Sequence, residues 1–145
     1  MAGDTAIAHC QSRVSTNNRR PLHVLVVDDY PGVAESMGTL LGLRGYDVSV
    51  AQNGVAALRL AQVRRPDVAL VDISMPGMTG LEVVRRLREM FPDQPPILIA
   101  ITAHAFEEDR RRCLEAGFDL HLTKPADPNV VECLLQELKR TLFTY

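Results

Sequence analysis

The chain has 145 residues, 46% of them hydrophobic, which suits a single globular domain with one core. A formal net charge of −2 leaves no basic surplus to neutralise a nucleic-acid backbone, and no apolar run reaches the roughly 18 residues of a membrane span. Three widely separated cysteines, Cys10, Cys113 and Cys133, fit neither a zinc site nor a disulfide framework, so we expect a cytoplasmic protein without nucleic-acid or membrane partners.

The first 20 residues form a polar segment that differs from the rest of the chain. Serine, threonine, asparagine and arginine dominate its second half, and it lacks both the apolar stretch of a signal peptide and the side chains needed for a core. We therefore predict a flexible N-terminal tail over residues 1–20 and one folded domain over residues 21–145.

Short apolar runs alternate with longer amphipathic segments from Leu22 onward. This alternation is typical of βα units on a parallel sheet, and runs that are apolar throughout predict strands covered on both faces. The predicted strands are Leu22–Val27, Asp47–Ala51, Val68–Val71, Ile97–Ile101 and Leu120–Leu122. The sequence thus predicts a three-layer α/β domain.

The segments between the predicted strands carry helix start and stop signals. The start signals are Pro31 in a first turn, Asn53 as a cap, Thr79 with Glu82 as a capping box, and Asp127 before Pro128. Gly45 and Gly117 follow helical stretches, where a left-handed terminator is favoured. The last helix is predicted to bury one apolar face, made of Val131, Leu134, Leu135, Leu138 and Leu142.

Polar side chains stand in the sequence where the predicted strands end. These residues are Asp28, Asp29, Asp72, Thr102 and Lys124. In an open α/β sheet, ligands bind outside the carboxyl ends of the strands, so we expect the five side chains to converge on one site. The histidines His9, His23 and His104 have no partner at helical spacing and are expected on the surface rather than as ligands.

The chemistry of this set points to phosphoryl transfer. Three carboxylates in one place repel one another unless a cation neutralises them, and an all-oxygen set favours Mg²⁺. Lys124 and Thr102 would then bind a phosphate group. A carboxylate can attack a phosphoryl group to form an acyl phosphate, and Asp72 is the best candidate, because it follows the middle predicted strand and precedes an accessible loop at Pro76 and Gly77.

Four sequence segments carry these residues in order: VLVVDD at 24–29, VDISMPGMTGLEVVRRLR at 71–88, ITAHA at 101–105 and AGFDLHLTKP at 116–125. Together they resemble the receiver domains of response regulators in two-component signalling. The resemblance implies a flavodoxin-like, doubly wound sheet of five parallel strands in the order 2-1-3-4-5, with helices on both faces. It also implies that the Lys124–Pro125 peptide bond is cis.

The resemblance assigns a role to each site residue. Asp72 would be the phosphoacceptor, while Asp29, Asp72 and the backbone carbonyl of Ser74 would bind Mg²⁺ directly and Asp28 mainly through water. Thr102, Lys124 and the backbone of Ala103 would contact the phosphoryl group. Thr102 and His121 would move on phosphorylation. Because the imidazole of His121 is smaller than a tyrosine ring and can titrate, we expect this coupling to be weaker or pH-sensitive. Ser74 and His104 occupy positions that tune the lifetime of the acyl phosphate.

By the same resemblance, the chain is a signalling switch rather than an enzyme that turns over an external substrate. It would receive a phosphoryl group from a histidine kinase or a histidine phosphotransfer protein, and HLTKPADP at 121–128 is similar to receivers attached to hybrid sensor kinases. A homodimer would use the last two helices and the last strand, a face that includes Arg110–Arg112 and Asp127–Leu142.

Other functions remain open at this point. One is a receiver-like module that binds proteins without being phosphorylated. Another is an aspartyl-phosphate phosphatase, although those enzymes carry a D-x-D pattern and the acidic pair here is adjacent. A nucleotide-binding module is disfavoured, because no glycine-rich phosphate loop follows the first strand.

Overall fold

The computed structural model describes residues 20–103 and 107–142. Within them, five strands alternate with five helices. The strands are β1 (His23–Val27), β2 (Asp47–Ala51), β3 (Val68–Asp72), β4 (Ile97–Thr102) and β5 (Leu120–Thr123). The helices are α1 (Val33–Leu43), α2 (Gly54–Val63), α3 (Gly80–Met90), α4 (Glu107–Ala116) and α5 (Pro128–Leu142). Except for Arg20, the tail predicted over residues 1–20 lies outside the described residues.

The strands form one parallel sheet in the order β2-β1-β3-β4-β5, which confirms the predicted doubly wound topology. The chain enters at β1, adds β2 on one side, and then returns to place β3 on the other side of β1. A reversal of this kind leaves a crevice at the carboxyl ends of the two central strands. The polar strand ends therefore lie where a ligand site is expected.

Strand β1 divides its side chains between two apolar cores. Val24 and Val26 pack with α1 and α5, whereas Leu25 and Val27 pack with α2, α3 and α4. Successive side chains point to opposite faces of a strand, so a strand covered on both faces must be apolar throughout. This explains the apolar runs within β1, β3 and β4, at residues 24–27, 68–71 and 97–101.

Most of the predicted helix signals are confirmed. Asn53, Thr79 and Asp127 each accept a hydrogen bond from a backbone N–H of the following turn, at 2.8, 3.3 and 2.9 Å respectively. Gly45 and Gly117 have left-handed φ angles of 97° and 117°. The short side-chain caps and the two glycines therefore set most of the helix boundaries.

Two details of the helix predictions are wrong. Pro31 does not lie in the first turn of α1, because Gly32 intervenes with a φ of 85° and the helix begins at Val33. Proline fixes its own φ near −65°, so the glycine supplies the positive φ that turns the chain into the helix. Leu142 is 38% exposed, since it ends α5 beyond the residues that pack against the sheet.

His23 is buried, which contradicts its expected place on the surface. Its ring bonds through Nε2 to the Ser49 hydroxyl at 2.8 Å and through Nδ1 to the carbonyl of Arg65 at 3.1 Å. The neighbouring carboxylate of Asp67 accepts hydrogen bonds from the His23 N–H and from both terminal nitrogens of Arg20. Although burial alone would raise it, these bonds hold the pKa of Asp67 below its ordinary value. Polar groups that have hydrogen-bond partners, as these do, tolerate burial at the start of a strand.

No helix within residues 20–103 and 107–142 combines the length and the apolarity needed to cross a lipid bilayer.

Candidate functional site

The structure brings four of the five predicted site residues together at the carboxyl edge of the sheet: Asp28, Asp29 and Asp72 form a cluster, and Lys124 lies beside two of them. Thr102 ends β4 at the same edge. Asp28 follows β1, and its backbone N–H donates to the carbonyl of Ala51 in β2 at 3.1 Å. Asp72 is the last residue of β3 and is paired with Ile101 in β4, one residue before Thr102. Lys124 follows β5, and its N–H donates to the carbonyl of Thr102 at 2.7 Å. Backbone hydrogen bonds between neighbouring strands thus fix the positions of the side chains.

Three carboxylates form the centre of the site. Asp28, Asp29 and Asp72 each offer an oxygen, and these oxygens lie within 4.8 Å of one another. Asp72 is 1% exposed and Asp28 is 6% exposed. Like charges so close together in a partly dry environment are unfavourable unless a proton or a cation compensates them.

Lys124 supplies the positive charge on the other side of Asp72. Its Nζ lies 3.1 Å from Oδ1 of Asp72 and 4.0 Å from Oδ2 of Asp28. Oδ1 of Asp72 also accepts the N–H of Ser74 at 3.2 Å. Oδ2 of Asp72, in contrast, is buried and has no hydrogen-bond partner among the described residues. One oxygen of Asp72 is therefore held in place while the other remains available.

The balance of charge alters the proton affinity of Asp72. Burial is the largest effect, and together with the carboxylates of Asp28 and Asp29 it raises the pKa of Asp72 to about 6. The hydrogen bond and the charge of Lys124 act in the opposite direction and only partly offset this shift. Without a bound cation, Asp72 is thus a carboxyl group whose ionisation is costly near neutral pH.

The site fits a divalent magnesium ion. Its donor set is entirely oxygen, which Mg²⁺ prefers, and the buried Oδ2 of Asp72 is a free acceptor that a cation would satisfy. Asp28, Asp29 and Asp72 would hold the ion. Ser74, whose carbonyl is the fourth predicted ligand, lies on the exposed loop directly after β3.

Backbone hydrogen bonds hold the loop after β3 in place. The N–H of Ile73 donates to the carbonyl of Ile101, and the carbonyl of Ile73 accepts the N–H groups of Met75 and Gly80, all within 3.2 Å. Gly77 has a φ of 75°, which lets the chain turn back towards α3. Sequence reasoning identified Gly77 as part of a loop but missed the contact at Gly80, where a glycine directly after the cap residue was the only signal.

The remaining predicted site residues occupy different positions. Thr102 is buried, whereas Ala103 is exposed. His121 lies on β5 opposite Ala100, and its Nε2 is buried without a hydrogen-bond partner among the described residues. His104 lies outside the described residues. The peptide bond between Lys124 and Pro125 is cis, as the resemblance implied.

A cavity of about 520 Å³ adjoins the acidic cluster, between α1 and the segment after β5. Its walls are mainly apolar, with Val33 and Met37 from α1 facing Pro125 and Ala126, and it includes Asp28 and Lys124 at the acidic site. Tyr30, 68% exposed, also lines it. Sequence reasoning did not find this cavity, because its walls come from segments far apart in the chain.

Comparisons with known proteins identify similar sequences and structures. The protein-family model of the response regulator receiver domain matches residues 24–136 of this chain. The probable transcriptional regulatory protein TcrX of Mycobacterium tuberculosis is 39% identical over 121 residues, which are 83% of this chain but 51% of TcrX. The sensor histidine kinase RcsC of Escherichia coli is 35% identical over 127 residues, 88% of this chain and 13% of RcsC. The chain thus spans about half or less of these two relatives.

Solved structures agree with this match. The chemotaxis protein CheY4 of Vibrio cholerae superposes with a TM-score of 0.72 at 32% identity, covering 83% of this chain and 98% of CheY4. The match therefore extends over nearly all of that solved chain.

Proposed function

The chain belongs to the response regulator receiver domain family, and from this membership we propose that it is a phosphoacceptor switch in a two-component phosphorelay. It would take a phosphoryl group from a phosphohistidine donor onto Asp72, with Mg²⁺ as cofactor. The observation that carries the proposal is the buried Oδ2 of Asp72, unpartnered among the described residues, beside two further carboxylates and the Lys124 ammonium group.

The proposed reaction moves one phosphoryl group between two side chains. The carboxylate of Asp72 attacks the phosphorus atom, a new O–P bond forms, and the P–N bond to the donor imidazole breaks. Lys124 stabilises the negative charge on the transferring oxygens, and its contact with Oδ1 keeps the carboxylate oriented. When bound, Mg²⁺ would supply the positive charge that allows three carboxylates to stay ionised together and would stabilise the phosphoryl oxygens.

The proposal extends to the partners and the readout. A histidine kinase or a histidine phosphotransfer protein would be the donor, in keeping with the similarity to RcsC, a sensor histidine kinase. Thr102, His121 and the backbone of Ala103 would respond to the phosphoryl group, and the face of α4, β5 and α5 would change its contacts, including those of a homodimer. The cytoplasmic location and the influence of Ser74 and His104 on acyl-phosphate lifetime stay predictions.

Acetyl phosphate provides the first test of the proposal. With Mg²⁺, we expect the wild-type chain to gain the mass of one phosphoryl group, and we expect a chelator to prevent the gain, because the reaction needs the cation. Asp72→Asn should gain nothing. Asp93→Asn is the matched control, since it makes the same change at an exposed aspartate outside the site.

Intact-mass measurement separates the possible outcomes. Uptake by the wild type and by Asp93→Asn, but not by Asp72→Asn, supports the proposed switch. No uptake by the wild type at any Mg²⁺ concentration would contradict it and favour a receiver-like module that binds its partners without phosphorylation.

A further inference from the structure

We infer that Gly80 is a positioning residue for phosphoryl transfer: its missing side chain allows the first residue of α3 to lie directly against the backbone of Asp72 and Ile73. The inference rests on the proposed function, because it concerns how the phosphoacceptor and its neighbouring backbone are held. Gly80 would touch neither the phosphoryl group nor the cation and would act through Asp72.

The contact at Gly80 is too close for any side chain. A Cβ atom at this position would lie 2.4 Å from the carbonyl oxygen of Asp72, 2.7 Å from the Cα of Ile73 and 3.0 Å from the carbonyl carbon of Asp72. Ordinary contacts of a Cβ begin at 3.4 Å. An alanine at position 80 would therefore require the two backbone segments to separate by about 1 Å.

The need for glycine here is steric rather than conformational. Gly32, Gly45, Gly77 and Gly117 are the described glycines with positive φ, and Gly80 is not among them. Its helical backbone would suit alanine, and alanine would normally favour the helix by up to about 1 kcal/mol. The close approach of two backbones is the feature that opposes a larger residue at this position.

The resulting strain would be relieved at the phosphorylation site. Helix α3 is anchored by Val83, Val84 and Leu87, all 0% exposed, so it cannot retreat without opening the core. The segment on the other side is short and leads directly from Asp72 to the exposed Ser74. We therefore expect this segment to move, taking the Asp72 carboxylate and the Ser74 carbonyl with it.

Other crowded glycines do not have this relation to the site. The three atoms nearest to a Cβ at Gly54 all belong to the Met78 side chain, and a Cβ at Gly38 would meet the side chains of Val50 and Val48. Gly38 is buried in α1 and packs on β2, at the edge of the sheet. Gly38→Ala is thus a matched control that introduces the same atom into a crowded helix position, where it meets side chains instead of the backbone of Asp72 and Ile73.

The test compares wild type, Gly80→Ala and Gly38→Ala in two assays. We expect Gly80→Ala to weaken Mg²⁺ binding by about 10-fold in calorimetric titration, because residues that orient metal ligands have effects of this order on affinity. At saturating Mg²⁺, it should slow uptake from acetyl phosphate by about 100-fold per folded molecule, since a displacement of 1 Å at a reacting group has an effect of that order. Gly38→Ala should stay within about 2-fold of the wild type in both assays.

A purely structural role would lower stability without changing these two quantities, so the folded fraction is measured by circular dichroism in each sample. The assays are run at low temperature in sucrose, which favours the compact state and keeps a destabilised Gly80→Ala variant folded. The inference would be overturned if folded Gly80→Ala kept the Mg²⁺ affinity and the uptake rate of the wild type. It would also be overturned if Gly38→Ala lost as much Mg²⁺ affinity and as much of the uptake rate as Gly80→Ala. Failure of the wild type itself to accept the phosphoryl group would instead overturn the proposed function.

Discussion

Replacing Asp72 by asparagine is expected to stabilise the Mg²⁺-free protein by about 2 kcal/mol at pH 8, although the same change should abolish phosphoryl uptake. The reason is the raised pKa of Asp72, which burial and the carboxylates of Asp28 and Asp29 bring to about 6, against an ordinary value of 3.8. A shift of this size corresponds to about 3 kcal/mol of unfavourable ionisation in the folded state. Asparagine has nearly the same shape and carries no charge.

The effect has a defined dependence on pH. Between about pH 4 and pH 6 the folded wild type keeps a proton on Asp72 that the unfolded chain has lost, so its stability falls as the pH rises through this window. Below about pH 4 the carboxyl group is protonated in both states, and the difference between wild type and Asp72→Asn should become small. Added Mg²⁺ should also reduce this difference in stability, because it binds the folded wild type more tightly than folded Asp72→Asn.

Urea unfolding at pH 4 and pH 8, with chelator and with Mg²⁺, measures this prediction. Asp93→Asn is again the control and should leave the free energy of unfolding within about 0.5 kcal/mol of the wild type. If Asp72→Asn proves less stable than the wild type at pH 8 without Mg²⁺, the three carboxylates do not repel one another as the geometry requires.

Replacing Lys124 by methionine is expected to separate metal binding from phosphoryl transfer. The Lys124 ammonium lies 3.1 Å from Asp72 and 4.0 Å from Asp28, so it competes with a cation for the same carboxylates. Its removal should tighten Mg²⁺ binding. The rate of uptake from acetyl phosphate should nevertheless fall by a factor on the order of 10² to 10³, because a charge that stabilises the transferring oxygens is lost.

The chain offers an exact charge control for this variant. Lys139 on α5 is the only other lysine in the sequence, so Lys139→Met makes the same change in charge away from the strand ends. We expect it to leave both the Mg²⁺ affinity and the uptake rate near their wild-type values. A Lys124→Met variant that keeps the wild-type rate would show that the ammonium group has no part in the transfer.

Much of the fold was predictable because a strand that is buried on both faces of a sheet has apolar residues at consecutive positions. The apolar runs of β1 and β3 are typical of strands buried on both faces, and a parallel sheet brings the carboxyl ends of such strands to one edge. Asp28 and Asp72 could therefore be assigned to one site from their positions after these runs. The order of the strands, in contrast, came from resemblance, since alternation of strands and helices does not define which strands are neighbours.

The errors arose where a residue's environment depends on distant parts of the chain. The burial of His23 depends on Ser49 and on the carbonyl of Arg65, which only the folded sheet brings to the imidazole ring. The need for glycine at position 80 has a similar origin, because Gly80 lies directly against the backbone of Asp72, eight residues earlier in the chain. Local sequence signals report propensity and capping. They give no indication of the contacts of His23, and at position 80 the glycine after the cap residue was the only signal.

The position of the phosphoryl group tests the central claim most directly. After incubation with Mg²⁺ and acetyl phosphate, borohydride reduces an acyl phosphate to an alcohol, which converts the modified aspartate into homoserine. Peptide mass spectrometry then locates that residue. We predict homoserine at position 72 and at no other aspartate. Homoserine at Asp28 or Asp29, a phosphoryl group on Ser74 or Thr79, or no modification at all would contradict the assignment of Asp72 as the phosphoacceptor.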